Sequence, residues 1–166
     1  MQILVKKAQK GDPEAFVTLI EANKSGMYRV AKGFFQSEDD VADAISETVL
    51  SAYEHIKELK KTEYFRTWLI RILINVCNQM LRERKRYEVT EIVPEARYLD
   101  NNFSDIEFRE MLSSFPEDCQ MILLLYYGEQ FTTREIAEIL GMKENTVKSK
   151  LRRSRGTLRE TIVYSL

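Results

Sequence analysis

The chain has 166 residues, 31% of them charged and 44% apolar, with a formal net charge of -1. That balance excludes a disordered polymer and describes a soluble globular chain; no apolar run is long enough for a membrane span, the longest being Met121 to Tyr127. With 6 Gly, 3 Pro and few alternating runs, the pattern predicts an all-α protein of one domain or two small ones. The near-zero total hides a segregated charge. Residues 143 to 159 hold seven Lys or Arg and one Glu, residues 36 to 47 hold five acids and no base, and residues 88 to 110 hold seven acids and two bases. Segregation of this kind suits partners of different sign.

In chain order, residues 2 to 10 predict a short opening helix ended by Gly11. The first residues, MQILVKKAQKGD, lack the apolar run and cleavage site of a signal peptide. Asp12 then caps a helix with Pro13 at its first position, and Phe16, Leu19 and Ile20 form its apolar side. Helical spacing continues past Ser25-Gly26 through Met27, Val30, Ala31, Phe34 and Phe35. Ser37 is the expected cap of a third helix, with Glu38, Asp39 and Asp40 in the first turn, where acids complement the helix dipole. It runs to about Leu59. Val41, Ile45, Val49, Ala52 and Ile56 face inward, and Asp40, Asp43, Glu47, Ser51 and Glu54 line the rest.

After the polar loop Lys60-Lys61-Thr62-Glu63 comes the most amphipathic helix, from Tyr64 or Phe65 to about Arg86. Its apolar arc is wide, so its polar stripe of Thr67, Arg71, Asn75, Asn78 and Arg82 is informative. Trp68 borders the stripe, and Arg82, Arg84, Lys85 and Arg86 end the helix. Two readings of the stripe stand at this point. It is either the solvated edge of a core helix with a basic end, or a strip for single-stranded nucleic acid, with cations for phosphates, Asn for base edges and Trp68 or Tyr64 for stacking.

Residues 87 to 103 lose the periodicity and turn acidic, and Pro94 and Asn101-Asn102 fit a linker. The chain is therefore expected to fold as two small helical domains, residues 1–86 and 104–166, joined by an acidic linker, 87–103. A helix from about Ser104 to Ser114 is followed by one from Pro116 to about Tyr127, ended by Gly128. Thr132 and Glu135 then have the spacing of a capping box, and Gly141 closes that helix where a left-handed residue is needed. A second helix is expected from about Asn145 to about Glu160. Val147, Leu151 and Leu158 face inward beside Ser154, and Ser149, Arg152, Arg153 and Gly156 face outward. Lys148, Lys150, Arg155 and Arg159 flank that outer face. This helix-turn-helix could place its second helix in a DNA major groove.

Cys77 and Cys119 stand apart, with no zinc-site spacing. One histidine, His55, and no Gly-rich phosphate loop leave an enzyme, a metal or a cofactor without support.

Taken together, the motifs resemble the extracytoplasmic-function (ECF) sigma factors of bacterial RNA polymerase. GDPEAF with Tyr28 and Ala31 is similar to the family's opening. DDVADAISETVLSAYEHI resembles its clamp-binding helix, FRTWLIRILINVCNQMLRERKR its promoter-melting segment, and the stretch from FPEDCQ to TVKSKLRRSRGTLRE its −35 domain. The resemblance implies a non-enzymatic specificity subunit that binds core polymerase at its clamp coiled coil and flap. It implies that Asp40, Asp43 and Glu47 meet the clamp and that the loop from Lys60 through Lys61 and Thr62 captures a −10 base. Trp68, Arg71, Asn75 and Asn78 would lie beneath the melted strand, and Lys148, Ser149, Arg152, Arg153 and Arg155 would contact the −35 duplex. The linker would be a solvated tether or would thread a polymerase channel. The resemblance further implies promoter DNA and an anti-sigma factor as partners, a cytoplasmic location and no direct membrane insertion. The sequence departs from the family at Ser46, Lys143 and Asn145. The alternative is a stand-alone helix-turn-helix regulator, which would leave the acidic face and the FRTWL helix without a task.

Overall fold

A computed structural model describes residues 1–87, 108 and 110–164, with side chains through Thr157. Apart from Tyr87, the predicted linker lies outside these residues, as do residues 104–107 and 109 of the helix expected from Ser104 and the side chains of Leu158 and Arg159. The described residues are helical with no strand, in two compact units, Met1–Tyr98 and Leu99–Leu166.

The first unit contains α1 (Gln2–Gln9), α2 (Pro13–Lys32), α3 (Glu38–His55) and α4 (Phe65–Tyr87). Gly11, at φ +94°, makes the corner between α1 and α2. Asp12 caps α2 as expected, its carboxylate accepting from the Ala15 N–H at 3.1 Å. α2 runs unbroken through Ser25-Gly26. The Ser37 hydroxyl, by contrast, makes no capping bond at the start of α3. The corner is tied instead by Lys32, whose buried ammonium donates to the Gln36 carbonyl at 3.0 Å and to Glu38 at 2.6 Å. α3 stops four residues short of Leu59 and tightens into a 3₁₀ turn, Ile56–Glu58; a second such turn, Thr62–Tyr64, leads into α4. α4 packs against α2 and α3, burying Phe65, Leu69, Ile70, Leu73, Ile74 and Cys77. Each fully buried large side chain contributes about 1.5–3 kcal/mol of transfer free energy. Thr67, expected in the polar stripe, is buried too; it stands three residues before Ile70 and seven before Ile74, at the edge of the buried arc. Tyr87, expected to open the linker, is the last residue of α4.

In the second unit, residues 110–113 are helical, and α5 (Glu117–Leu123) follows Pro116. The predicted continuation to Tyr127 is not α-helical. Leu124–Gly128 widens into a π turn, in which the Glu129 N–H reaches the Leu124 carbonyl at 3.0 Å. Gly128 suits this turn because a Cβ there would meet Leu124 Cδ1 at 3.1 Å and the Phe108 ring at 3.3 Å. α6 (Thr133–Leu140) and α7 (Glu144–Tyr164) form the helix-turn-helix. The capping box is complete: the Glu135 N–H donates to Thr132 Oγ1 at 3.2 Å, and the Thr132 N–H donates to Glu135 Oε2 at 2.8 Å. Gly141 is left-handed at φ +64°. Ile122, Leu123, Leu125, Ile136, Val147 and Leu151 form the core. Thr132→Ala should therefore cost about 1 kcal/mol of stability, read as a lower denaturant midpoint of the second unit, and Thr132→Ser should restore it.

Candidate nucleic-acid interface

α7 begins at Glu144, one residue before the expected start at Asn145. The reason is an unforeseen partner. Glu144 Oε1 accepts from the Thr133 hydroxyl of α6 at 2.8 Å and from Lys148 Nζ at 2.9 Å. The hydrogen bond from Lys148, then that from Thr133, holds the Glu144 carboxyl below its ordinary range. This carboxylate suits the positive end of the helix dipole. Lys143, which has no side-chain oxygen to cap with, supplies its carbonyl to the Thr146 and Val147 N–H groups.

Winding at ~100° per residue separates the two faces of α7. Val147, Leu151 and Ser154 are buried, and Lys148, Ser149, Arg152, Arg153 and Gly156 are exposed. The basic residues are not equivalent. Lys150 pairs with Asp118 at the start of α5, and that hydrogen bond lowers the Asp118 carboxyl from its ordinary range. The Arg155 guanidinium donates to Tyr127 Oη at 3.2 Å and Tyr126 Oη at 3.3 Å, and lies 5.8 Å from the Tyr126 ring centroid. The bond to Tyr127 raises the Arg155 pKa above its ordinary value. Arg152 and Arg153 have no ion-pair partner among the described residues. An exposed guanidinium can meet guanine bidentately or bond phosphate. Tyr126 and Tyr127, which hold Arg155, belong to the π turn, and no sequence motif marks them as its partners.

On α4, Arg71, Asn75, Asn78 and Arg82 are exposed along one stripe, at spacings of four, three and four residues. Trp68, one turn before Arg71, is half-buried, its ring centroid 5.9 Å from that of Phe65. Lys60 and Lys61 are exposed and Thr62 is half-buried; Lys61 Nζ lies 5.7 Å from the Tyr64 ring centroid. A cationic and amide stripe with aromatic rings at its head can bind a single strand through phosphates and stacking. Arg84, in the basic end of α4, is committed elsewhere: it pairs with Asp40 of α3 and lies 5.9 Å from the Phe35 ring centroid.

That pairing separates the three acids of α3 expected at the clamp, Asp40, Asp43 and Glu47. Asp43 and Glu47 are exposed, whereas the Asp40 side chain is 18% exposed and held against α4. The same exposed face carries Leu50, 54% exposed. Its place three residues after Glu47 and seven after Asp43 was a signal available in the sequence. Cys77 is buried, and burial pushes its thiol up to about 12. No helix among the described residues is long and apolar enough to cross a membrane.

Two family models match the chain in order. Sigma-70 region 2 matches residues 19–87, and sigma-70 region 4 matches residues 105–158. Among similar curated proteins, RNA polymerase sigma factor SigV of Bacillus subtilis is 28% identical over 141 residues, covering 83% of this chain and 85% of the relative. The ECF RNA polymerase sigma-E factor of Haemophilus influenzae is 26% identical over 180 residues, covering 97% and 94%. Among solved structures, CnrH in complex with the cytosolic domain of CnrY superposes with TM-score 0.72 at 20% identity, covering 99% of this chain and 98% of that one. The sigma factor RpoE from Bartonella quintana, in complex with the anti-sigma factor NepR, gives TM-score 0.69 at 21% identity, covering 89% and 96%. The fold is thus that of the solved sigma factors. With both sigma-70 regions in order on one all-helical chain, the protein belongs to the ECF sigma factors of bacterial RNA polymerase.

Proposed function

We propose that this chain is a non-catalytic specificity subunit that binds core RNA polymerase and directs initiation at a dedicated set of promoters. The observation that carries this reading is the presence of both regions on the same chain: region 2 over residues 19–87 and region 4 over residues 105–158. A stand-alone regulator would need only the second.

In this reading, residues 1–86 serve the −10 element and the clamp, and residues 104–166 serve the −35 element. Asp43 and Glu47 present the exposed acidic part of the clamp face. Asp40 belongs to it only through its hold on Arg84. The loop Lys60-Lys61-Thr62 takes a flipped base, and Trp68, Arg71, Asn75 and Asn78 support the melted strand; unstacking needs stacking surfaces and cations that favour the opened state. Ser149, Arg152 and Arg153 read or grip the −35 duplex, and Lys148 and Arg155 reach it from positions already engaged within the chain. The flap of core polymerase is a further contact, and residues 87–103 act as a tether or thread a polymerase channel. The two solved neighbours are complexes, one with the cytosolic domain of CnrY and the other with the anti-sigma factor NepR. By analogy, an anti-sigma partner covers one or both DNA faces here. The chain is cytoplasmic in this reading, and held at the membrane whenever that partner is membrane-anchored.

Reconstituted holoenzyme transcribing genomic DNA tests the reading. Sequenced transcripts should begin at discrete sites that share two motifs at fixed spacing, absent with core polymerase alone. Failure to bind core, together with tight sequence-specific binding of the free chain to duplex, would favour the stand-alone regulator.

A further inference from the structure

Gln9 stands at the last position of α1 and reaches across to the end of α3. Its Nε2 donates to the Ile56 carbonyl at 2.9 Å and to the Leu59 carbonyl at 2.8 Å. Helix ends leave their last carbonyls without intrahelical partners. Here α3 has just run out, and the 3₁₀ turn satisfies the Ile56 carbonyl only through a long bond from the Leu59 N–H, at 3.3 Å. One side-chain amide, with its two hydrogens, serves both oxygens. Immediately beyond Leu59 come the exposed Lys60 and Lys61. The far end of this loop is anchored by Phe65, the fully buried first residue of α4, and the near end by Ile56, 2% exposed. Between these anchors, Gln9 holds the backbone at Leu59. α1 can act as a fixed post because Val5 and Ala8 bury it against the rest of the unit, and it packs on α2 and on both 3₁₀ turns. It lies ahead of the residues matched to region 2, 19–87.

We propose that Gln9 is a positioning residue for promoter melting: by pinning the Leu59 carbonyl it sets where the loop Lys60–Glu63 presents its base-binding groups. This rests on the reading of that loop as the site of the captured −10 base. Gln9 touches no DNA and acts through the backbone it holds.

Three measurements test it. Gln9→Met keeps the length and packing but has no donor. Amide exchange of the free chain should then speed up about tenfold at Leu59 and Tyr64, with α2 and α4 unchanged, as expected for losing local hydrogen bonds. Holoenzyme carrying Gln9→Met, given a pool of single-stranded DNA randomised over six positions as a probe, should lose about an order of magnitude of its preference for the enriched base. Its affinity for core polymerase should not change. Gln9→Glu should show a larger defect that eases as pH is lowered, because only the protonated carboxyl can donate to a carbonyl. A loop variant, Lys60→Ala with Lys61→Ala and Thr62→Ala, separates the two layers of the idea. If that variant selects DNA as the wild type does, the loop reading fails and the proposal with it. If the loop variant loses selection but Gln9→Met matches wild type in exchange and selection, the Gln9 proposal alone is overturned. A general loss of exchange protection and core binding in Gln9→Met would make Gln9 a folding residue instead.

Discussion

Reversing Asp43 and Glu47 together to lysine should release the chain from core polymerase without unfolding it. Both are exposed on α3, so the substitution strands no buried charge. Removing one member of a close interfacial charge pair costs about 2–5 kcal/mol, and reversal adds repulsion, so the affinity for core should fall by at least ~30-fold. Competition for core against a labelled sigma factor measures this directly. Asp40→Asn should behave in the opposite way. Its carboxylate faces Arg84 of α4 with its side chain 18% exposed, so its loss should lower thermal stability and leave core affinity close to wild type. If Asp40→Asn weakened core binding as much as the double reversal, Asp40 would belong to the clamp contact itself rather than to the α3–α4 packing.

The second large effect is expected on α7. Arg152→Ala and Arg153→Ala should each lower −35-dependent transcription by roughly 5- to 150-fold, the equivalent of ~1–3 kcal/mol per bidentate contact. Core affinity and −10 selection should be untouched. Arg155→Ala and Lys148→Ala should have smaller effects. Arg155 is engaged by Tyr126 and Tyr127, and Lys148 by Glu144. Transcription from promoters with and without a −35 match, at matched holoenzyme concentration, gives the comparison. Equal losses at both promoters would point to misfolding.

What could be read from the sequence was what local chemistry decides. The Thr132–Glu135 capping box, the left-handed Gly141 and the Asp12 cap each involve residues within a few positions, and the structure has them as expected. The two faces of α7 followed from helical winding alone. Part of what escaped was decided by partners far along the chain. Glu144 starts α7 because Thr133, eleven positions away, donates to it. Asp40 looked equivalent to Asp43 until α4 brought up Arg84, 44 positions on. Ser37 has the residue type of a cap, but the nearby Lys32–Glu38 contact closes the corner without its hydroxyl. The π turn at Leu124–Gly128 has no signature that separates it from an ordinary helix end, so the grip of its tyrosines on Arg155 was invisible.

The carboxylates at Glu144 and Asp118 carry a consequence for the salt dependence of the proposed DNA contact. A lysine that meets phosphate normally sheds the anions it gathered from solution, and DNA sheds its condensed cations, so affinity falls steeply as salt rises. Lys148 and Lys150 carry their counterions covalently, as side chains of the same protein. To meet a phosphate, each would have to exchange a carboxylate for it, which would release less to the solvent and gain less at low salt. The seven basic residues between 143 and 159 therefore overstate the electrostatic reach of α7. In the proposed −35 role, its grip on arbitrary DNA is expected to be muted at the start of the helix, with discrimination resting on Arg152 and Arg153, which pair with no acid among the described residues.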